Sequence, residues 1–195
     1  MKLRTKILAG YGSTLLLVIL VCGWGVVNLR RLGKASEAIL RENYRSILAA
    51  ENMIDAIERQ DSATLLILLG DKEKGTDQFW ANEVVFLQWL GRAKDNITIP
   101  GEQQLILSLE TRYKTYINAV SELQNHKSTQ TPIPVDYYYE TVFPLFESVR
   151  QNSTELRELN QQTMVSASER TQRLSHQAIW SMTLTGGTAA GLGME

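Results

Sequence analysis

Residues able to do chemistry are few in this chain, and none completes a catalytic set. His176 sits in Ser175-His176-Gln177, without the following acidic residue and later proline that a phosphate-accepting histidine needs. It abuts an uncharged run, which is the setting of a solvated histidine beside an apolar segment. Glu122 and His126 are four residues apart, a helical spacing that can share a metal. No other histidine lies near, and the one cysteine, Cys22, is inside an apolar run, so the ligand set stays incomplete. Phosphate loops, dinucleotide fingerprints and nucleophile elbows do not occur. Asn96-Ile-Thr98 and Asn152-Ser-Thr154 match glycosylation acceptors, tripeptides that are frequent by chance. The expectation is no enzyme, no metal and no cofactor.

Binding is better represented. Asn43 and Asp61 fall in the apolar seam of the first long helical stretch, in the register 43, 47, 50, 54, 57, 61. A buried carboxylate is costly unless paired and hydrogen-bonded, so each residue either meets a structural partner or meets a ligand. An antiparallel fourth helix places Arg150 and Asn152 at the height of Asp61. Arg45 and Arg59 point away from the seam, where they are solvated or face a second subunit and hold an anion. Asn43, Arg45, Arg59 and Asp61 are the candidate ligand-binding residues.

Those residues must be positioned by helices. The chain has 195 residues and only 4 prolines, Pro100, Pro132, Pro134 and Pro144. Long proline-free runs suit helices, since an interior proline costs ~3 kcal/mol. Twenty basic and 21 acidic residues nearly cancel, which argues against a nucleic-acid partner.

Residues 7–29 carry no charge. At about 1.5 Å per residue the run is long enough to cross a ~30 Å hydrocarbon core with some tilt. Tyr11 and Trp24 lie near its ends, where amphipathic rings prefer the headgroup level. Lys2, Arg4 and Lys6 precede it and favour a cytoplasmic N-terminus, although Arg30, Arg31 and Lys34 follow. A cleaved signal peptide fits less well, because the run exceeds the usual apolar region and no small-x-small site closes it. Bulky Val21 before Cys22 argues against a lipoprotein. Residues 179–195 are uncharged until Glu195, with Trp180 at one end and the pair Gly187 and Gly191, which suits close helix approach in a membrane. The expected organisation is a cytoplasmic N-terminus (1–6), a transmembrane helix (7–29), an extracytoplasmic domain (30–178) and a truncated second membrane helix (179–195).

Between the membrane segments, four helical stretches are expected. The first runs on from the membrane helix to about Leu69 and stops at Gly70, with a seam of Leu40, Ile47, Ala50, Ile54, Ile57, Leu65 and Leu68. The second covers about 76–97, with Phe79, Phe86, Trp89/Leu90, Ala93 and Ile97, and is broken at Pro100-Gly101. The third covers about 102–126 and shows strict seam spacing: Ile106, Leu109, Tyr113, Tyr116, Val120 and Leu123. A loop over 128–135 precedes a fourth helix that starts near Pro144, where proline is tolerated in the first turn, and runs through Leu145, Val149, Leu156, Leu159, Ala167 and Leu174 into the second membrane segment. Short connections predict an all-α, membrane-anchored, antiparallel up-down-up-down four-helix bundle. Outside the membrane the first helix covers roughly 40 residues, about 60 Å, and the second roughly 22, about 33 Å. The inner hairpin therefore cannot cover the membrane-proximal outer helices, whose segment Ser166-Ala-Ser-Glu-Arg-Thr-Gln-Arg173 is poor in large apolar residues. A second copy is the expected cover, hence a homodimer.

Glu42-Asn-Tyr-Arg-Ser-Ile-Leu-Ala-Ala-Glu51 and Glu58-Arg-Gln-Asp-Ser-Ala-Thr-Leu-Leu66 resemble the periplasmic sensor region of KinB-type bacterial sensor histidine kinases. Met1-Lys-Leu-Arg-Thr-Lys-Ile7, Asn96-Ile-Thr-Ile-Pro-Gly-Glu102 and the stretch before the second membrane segment resemble that family too, so the likeness covers nearly the whole chain. It implies a dimeric four-helix periplasmic sensor in the bacterial inner membrane, ahead of a linker and kinase domains. The linker, phosphoacceptor helix and ATP-binding domain are missing from this sequence, so the expected role is sensing an unidentified small-molecule or periplasmic signal. The ligand domain of a chemoreceptor and a membrane-anchored helical scaffold are the alternatives.

Overall fold

The computed structural model describes residues 3–125 and 135–192, and every element among them is helical. Helix α1 spans Leu3–Leu68, α2 Lys72–Lys94 and α3 Glu102–Asn125. A short α4, Val135–Tyr137, leads through a π-helical turn, Tyr138–Val142, into α5, Phe143–Leu192. The chain divides into two compact units, one of Met1–Leu40 with Val165–Glu195 and one of Arg41–Met164. His126, Pro132 and Pro134 lie outside the described residues.

In the unit Arg41–Met164 a single core draws on α1, α2, α3, the π-helical turn and α5. Small residues dominate the α1 contribution, Ala49, Ala50, Ala56 and Ala63, together with Met53 and Ile57. Rings supply most of the rest. Phe86 stacks on Tyr113 with centroids 3.8 Å apart and planes 11° from parallel, and Phe79 packs against Tyr116 at 6.0 Å. Such pairs add ~0.5–1.5 kcal/mol beyond their buried area. The expected α3 seam holds throughout: Ile106, Leu109, Tyr113, Tyr116, Val120 and Leu123 are all buried.

The seam of α1 is wider than its spacing predicted and turned slightly. Ile47, Ala50 and Ile57 are buried, but Leu40 and Leu65 are exposed, and the buried face takes in Ser46, Gln60, Thr64 and Ile67. The reason is geometric: a helix packed on several partners buries more than the narrow stripe of a two-helix coiled coil.

The end of α1 is fixed by Gly70, whose φ is +99°. Its N–H donates to Ile67 O at 3.1 Å and the Asp71 N–H donates to Leu66 O at 3.0 Å, the paired bonds of a Schellman stop. Helix α2 begins and ends somewhat earlier than expected, at Lys72 and Lys94. Its Gly75 is buried where α2 meets α1. A Cβ there would lie 2.6 Å from Ile67 Cγ1 and 2.7 Å from Ala63 O.

Helix α5 starts at Phe143, so Pro144 lies in its first turn as the spacing predicts; what the spacing does not show is that α4 and the π-helical turn lead directly into it. Proline has no N–H for the carbonyl of Glu140, four residues back, and its ring would crowd that carbonyl in an α-helix. The π-helical turn Tyr138–Val142 lies directly before Pro144, with the Phe143 N–H reaching Tyr138 O. The wider turn absorbs the mismatch.

In the unit containing Met1–Leu40, α1 leaves large apolar side chains open. Leu15, Leu16, Val18, Ile19, Leu20 and Val21 are all exposed, as is Trp24. Among the described residues no helix is long and apolar enough to cross a membrane. The side chains of residues 7–9, 13, 14 and 17, which belong to the uncharged run, and of 182–195, which belong to the second expected membrane segment, lie outside the described set.

Candidate functional site

The four candidate residues do not form one site. Asn43 to Asp61 spans five turns of α1, about 27 Å, and their side chains meet different surroundings. Asn43 is buried at 1% exposure, with an Nδ2 that has no hydrogen-bond partner. Arg59 is exposed and pairs with Asp55 one turn back at 2.9 Å, a surface pair screened by solvent. Arg45 is exposed at the edge of a cleft, and Asp61 is half-buried.

Asp61 belongs to a buried polar array. Its Oδ1 accepts from the Tyr138 hydroxyl at 2.8 Å. The expected partners are engaged elsewhere: Arg150 donates to Glu58 at 3.0 Å and lies 3.8 Å from Glu147, while Asn152 donates to Ser108 at 2.8 Å. The π-helical turn that precedes α5 brings Tyr138 to Asp61 instead. Burial raises the Asp61 carboxyl above the ordinary aspartate range, the Tyr138 hydrogen bond partly opposes this, and the negative charge of Glu147 adds to it. The same loss of water raises the Tyr138 phenol, reinforced by its bond to Asp61.

Next along α1, the fully buried Gln60 amide exchanges hydrogen bonds with the Tyr113 hydroxyl at 3.1 and 3.2 Å and donates to Phe79 O at 3.4 Å. Thr64 donates to Gln60 O at 2.9 Å. The Tyr116 hydroxyl is buried beside Thr64 without a hydrogen bond of normal geometry. This array is structural chemistry. It keys α1 to α3 and the π-helical turn, because a slipped register would strand several buried polar groups at once.

A second keyed layer lies at the other end of the unit. Glu102 is buried at 0% exposure. Its carboxylate accepts from the Thr98 and Ile99 backbone N–H groups at 2.8 and 3.2 Å and from Asn160 Nδ2 at 2.9 Å. It thereby ties the α2–α3 connection to α5. Asn96 Nδ2 donates to Glu42 O at 2.8 Å and to Ser46 Oγ at 2.9 Å, which ties the end of α2 to α1.

That clasp is one wall of the cleft. A cavity of about 310 Å³ is lined by Arg45, Leu48, Trp89, Arg92, Asp95 and Asn96. The Arg92 guanidinium carbon sits 4.2 Å from the Trp89 ring centroid, a cation–π contact that stiffens both side chains. Of the sequence candidates, only Arg45 reaches this cleft. The spacing places Trp89 on the apolar seam of α2, and Asn96 is singled out only by a glycosylation tripeptide. The Trp89–Arg92 spacing of three was the available signal, but nothing local says that α2 brings them to Arg45.

Comparison with protein-family models, with curated proteins and with solved structures finds no match for this chain.

Proposed function

We propose that this chain is the extracytoplasmic sensing and transmembrane-signalling part of a membrane-anchored receptor, of the kind that governs a two-component histidine kinase. In this reading residues 7–29 cross the bacterial inner membrane from a cytoplasmic N-terminus. Residues 30–178 form a periplasmic antiparallel up-down-up-down four-helix bundle that works as a homodimer, and 179–195 begin a second pass.

One observation carries the reading. Leu15, Leu16, Val18, Ile19, Leu20 and Val21 are exposed on successive faces of the same helix. A helix apolar all round belongs in a large core or in lipid, and an exposed apolar surface of that extent demands cover. Lipid is the cover that fits an uncharged run of this length, 7–29, flanked by Tyr11 and Trp24.

Two further features support a signalling role over passive anchoring. Helix α1 is unbroken from Leu3 to Leu68, so the apolar run and the Arg45 wall of the cleft share one helix. The buried layers around Gln60 and Glu102 hold α1 and α5 in defined registers, as a bistable switch requires. The chain would act by binding and displacement, with catalysis left to a partner domain.

The experiment is a register test. The chain is joined through its C-terminus to a histidine-kinase core, and one alanine is inserted after Ser175, which rotates everything beyond by about 100°. A sensor that signals through α5 gives a changed autophosphorylation rate in membranes. An unchanged rate identifies a scaffold.

A further inference from the structure

We propose that the cleft between α1 and the end of α2 binds a small organic monocarboxylate with an apolar or aromatic body, held by Arg45 and Arg92. At about 310 Å³ it lies at the small end of ligand cavities, which run ~300–1,000 Å³. Its wall divides by chemistry. Leu48 and the Trp89 ring give an apolar side, and Arg45, Arg92 and Asp95 give a charged one.

The two guanidinium groups are the recognition elements. Neither Arg45 nor Arg92 has an ion pair or hydrogen bond among the described residues, whereas Arg59, Arg150 and Arg173 are paired with carboxylates. Arg92 lies over the face of Trp89 at 4.2 Å. A guanidinium in that position keeps its in-plane N–H groups for another acceptor, and a carboxylate matches that planar fork. Asp95 leaves the cleft with a net charge of one positive unit, which favours a monoanion or a zwitterion over a dianion.

The cleft is held in shape before any ligand arrives. The Asn96 amide bridges Glu42 O and Ser46 Oγ, so the end of α2 is clasped to the helix that carries Arg45 and Leu48. Preorganisation of this kind lowers the ordering cost of binding. The inference needs no membrane and does not rest on the sensor reading.

The test titrates the full chain with benzoate, benzamide, phenylalanine and inorganic phosphate, following the Trp89 indole N–H resonance, assigned from Trp89→Phe. Benzoate is expected to shift that resonance saturably. Benzamide and phosphate should bind at least 10-fold more weakly, and Arg45→Gln and Arg92→Gln should each weaken benzoate at least 10-fold with unchanged circular dichroism. Phenylalanine binding that weakens in Asp95→Asn assigns the ligand to the zwitterionic amino acids, and unaltered binding in that variant assigns it to simple carboxylates. No benzoate shift, equal benzamide binding or indifference to both arginine substitutions overturns the proposal.

Discussion

Asp61 holds its proton to higher pH than an exposed aspartate because the folded chain removes water from it and sets Glu147 near it, while Tyr138 only partly compensates. A carboxyl whose folded pKa lies above its unfolded value favours folding in the protonated state. Stability from this group is therefore fully present below the unfolded pKa, near 4, and is lost as pH rises through the folded one. Asp61→Asn keeps an acceptor for the Tyr138 hydroxyl and removes the charge. Its melting temperature should exceed wild type at pH 7, and the gap should close as pH falls to about 4. A lower melting temperature at pH 7 would mean that the carboxylate charge is itself stabilising. The neighbouring Gln60 makes the opposite kind of test. Tyr113→Phe strands a fully buried amide, so it should cost ~1–3 kcal/mol in denaturant unfolding. A loss below about 0.5 kcal/mol would mean that water replaces the phenol.

At the scale of elements, close approach is set by one glycine. Gly75→Ala puts a methyl group against Ile67 Cγ1 and the Ala63 carbonyl, and backbone cannot move aside as a flexible side chain can. Forcing α2 from α1 should cost ~1–3 kcal/mol or more, read as a lower denaturant midpoint. An unchanged midpoint would show that the helix pair has slack. The helices themselves were legible in the sequence where local rules agree. Gly70 ends α1 with the φ that favours glycine, and the unbroken apolar spacing of α3 buries every expected residue. The helical stretch upstream of Pro144 was not legible, because a proline in the first turn of a helix says nothing of what leads into it. Here α4 and a π-helical turn precede it, and Tyr138 rather than Arg150 reaches Asp61. The cleft was unreadable for a related reason. Arg45 is local to α1, while Trp89 and Arg92 reach it only through the packing of α2 that Gly75 and the Asn96 clasp impose.

For the whole molecule, the core residues belong to the unit Arg41–Met164, while Val165 and Leu174 further along α5 are exposed. The proposed homodimer places a second copy over such surfaces. Residues 30–178 should therefore sediment with a concentration-dependent mass that approaches a dimer at tens of micromolar, roughly the range of weak interfaces. A monomer throughout would leave membrane segments alone to support association.

The central claim is that one helix carries this chain out of the cytoplasm. Alkaline phosphatase, which folds only in an oxidising compartment, can be fused after Gly70 in the full-length α1, with a cytoplasm-active reporter at the same position as its complement. The account predicts phosphatase activity in membrane-bound material and silence from the cytoplasmic reporter, given Lys2, Arg4 and Lys6 before the uncharged run. Cytoplasmic reporter activity after Gly70, with an inactive phosphatase, would contradict both the location and the sensing role.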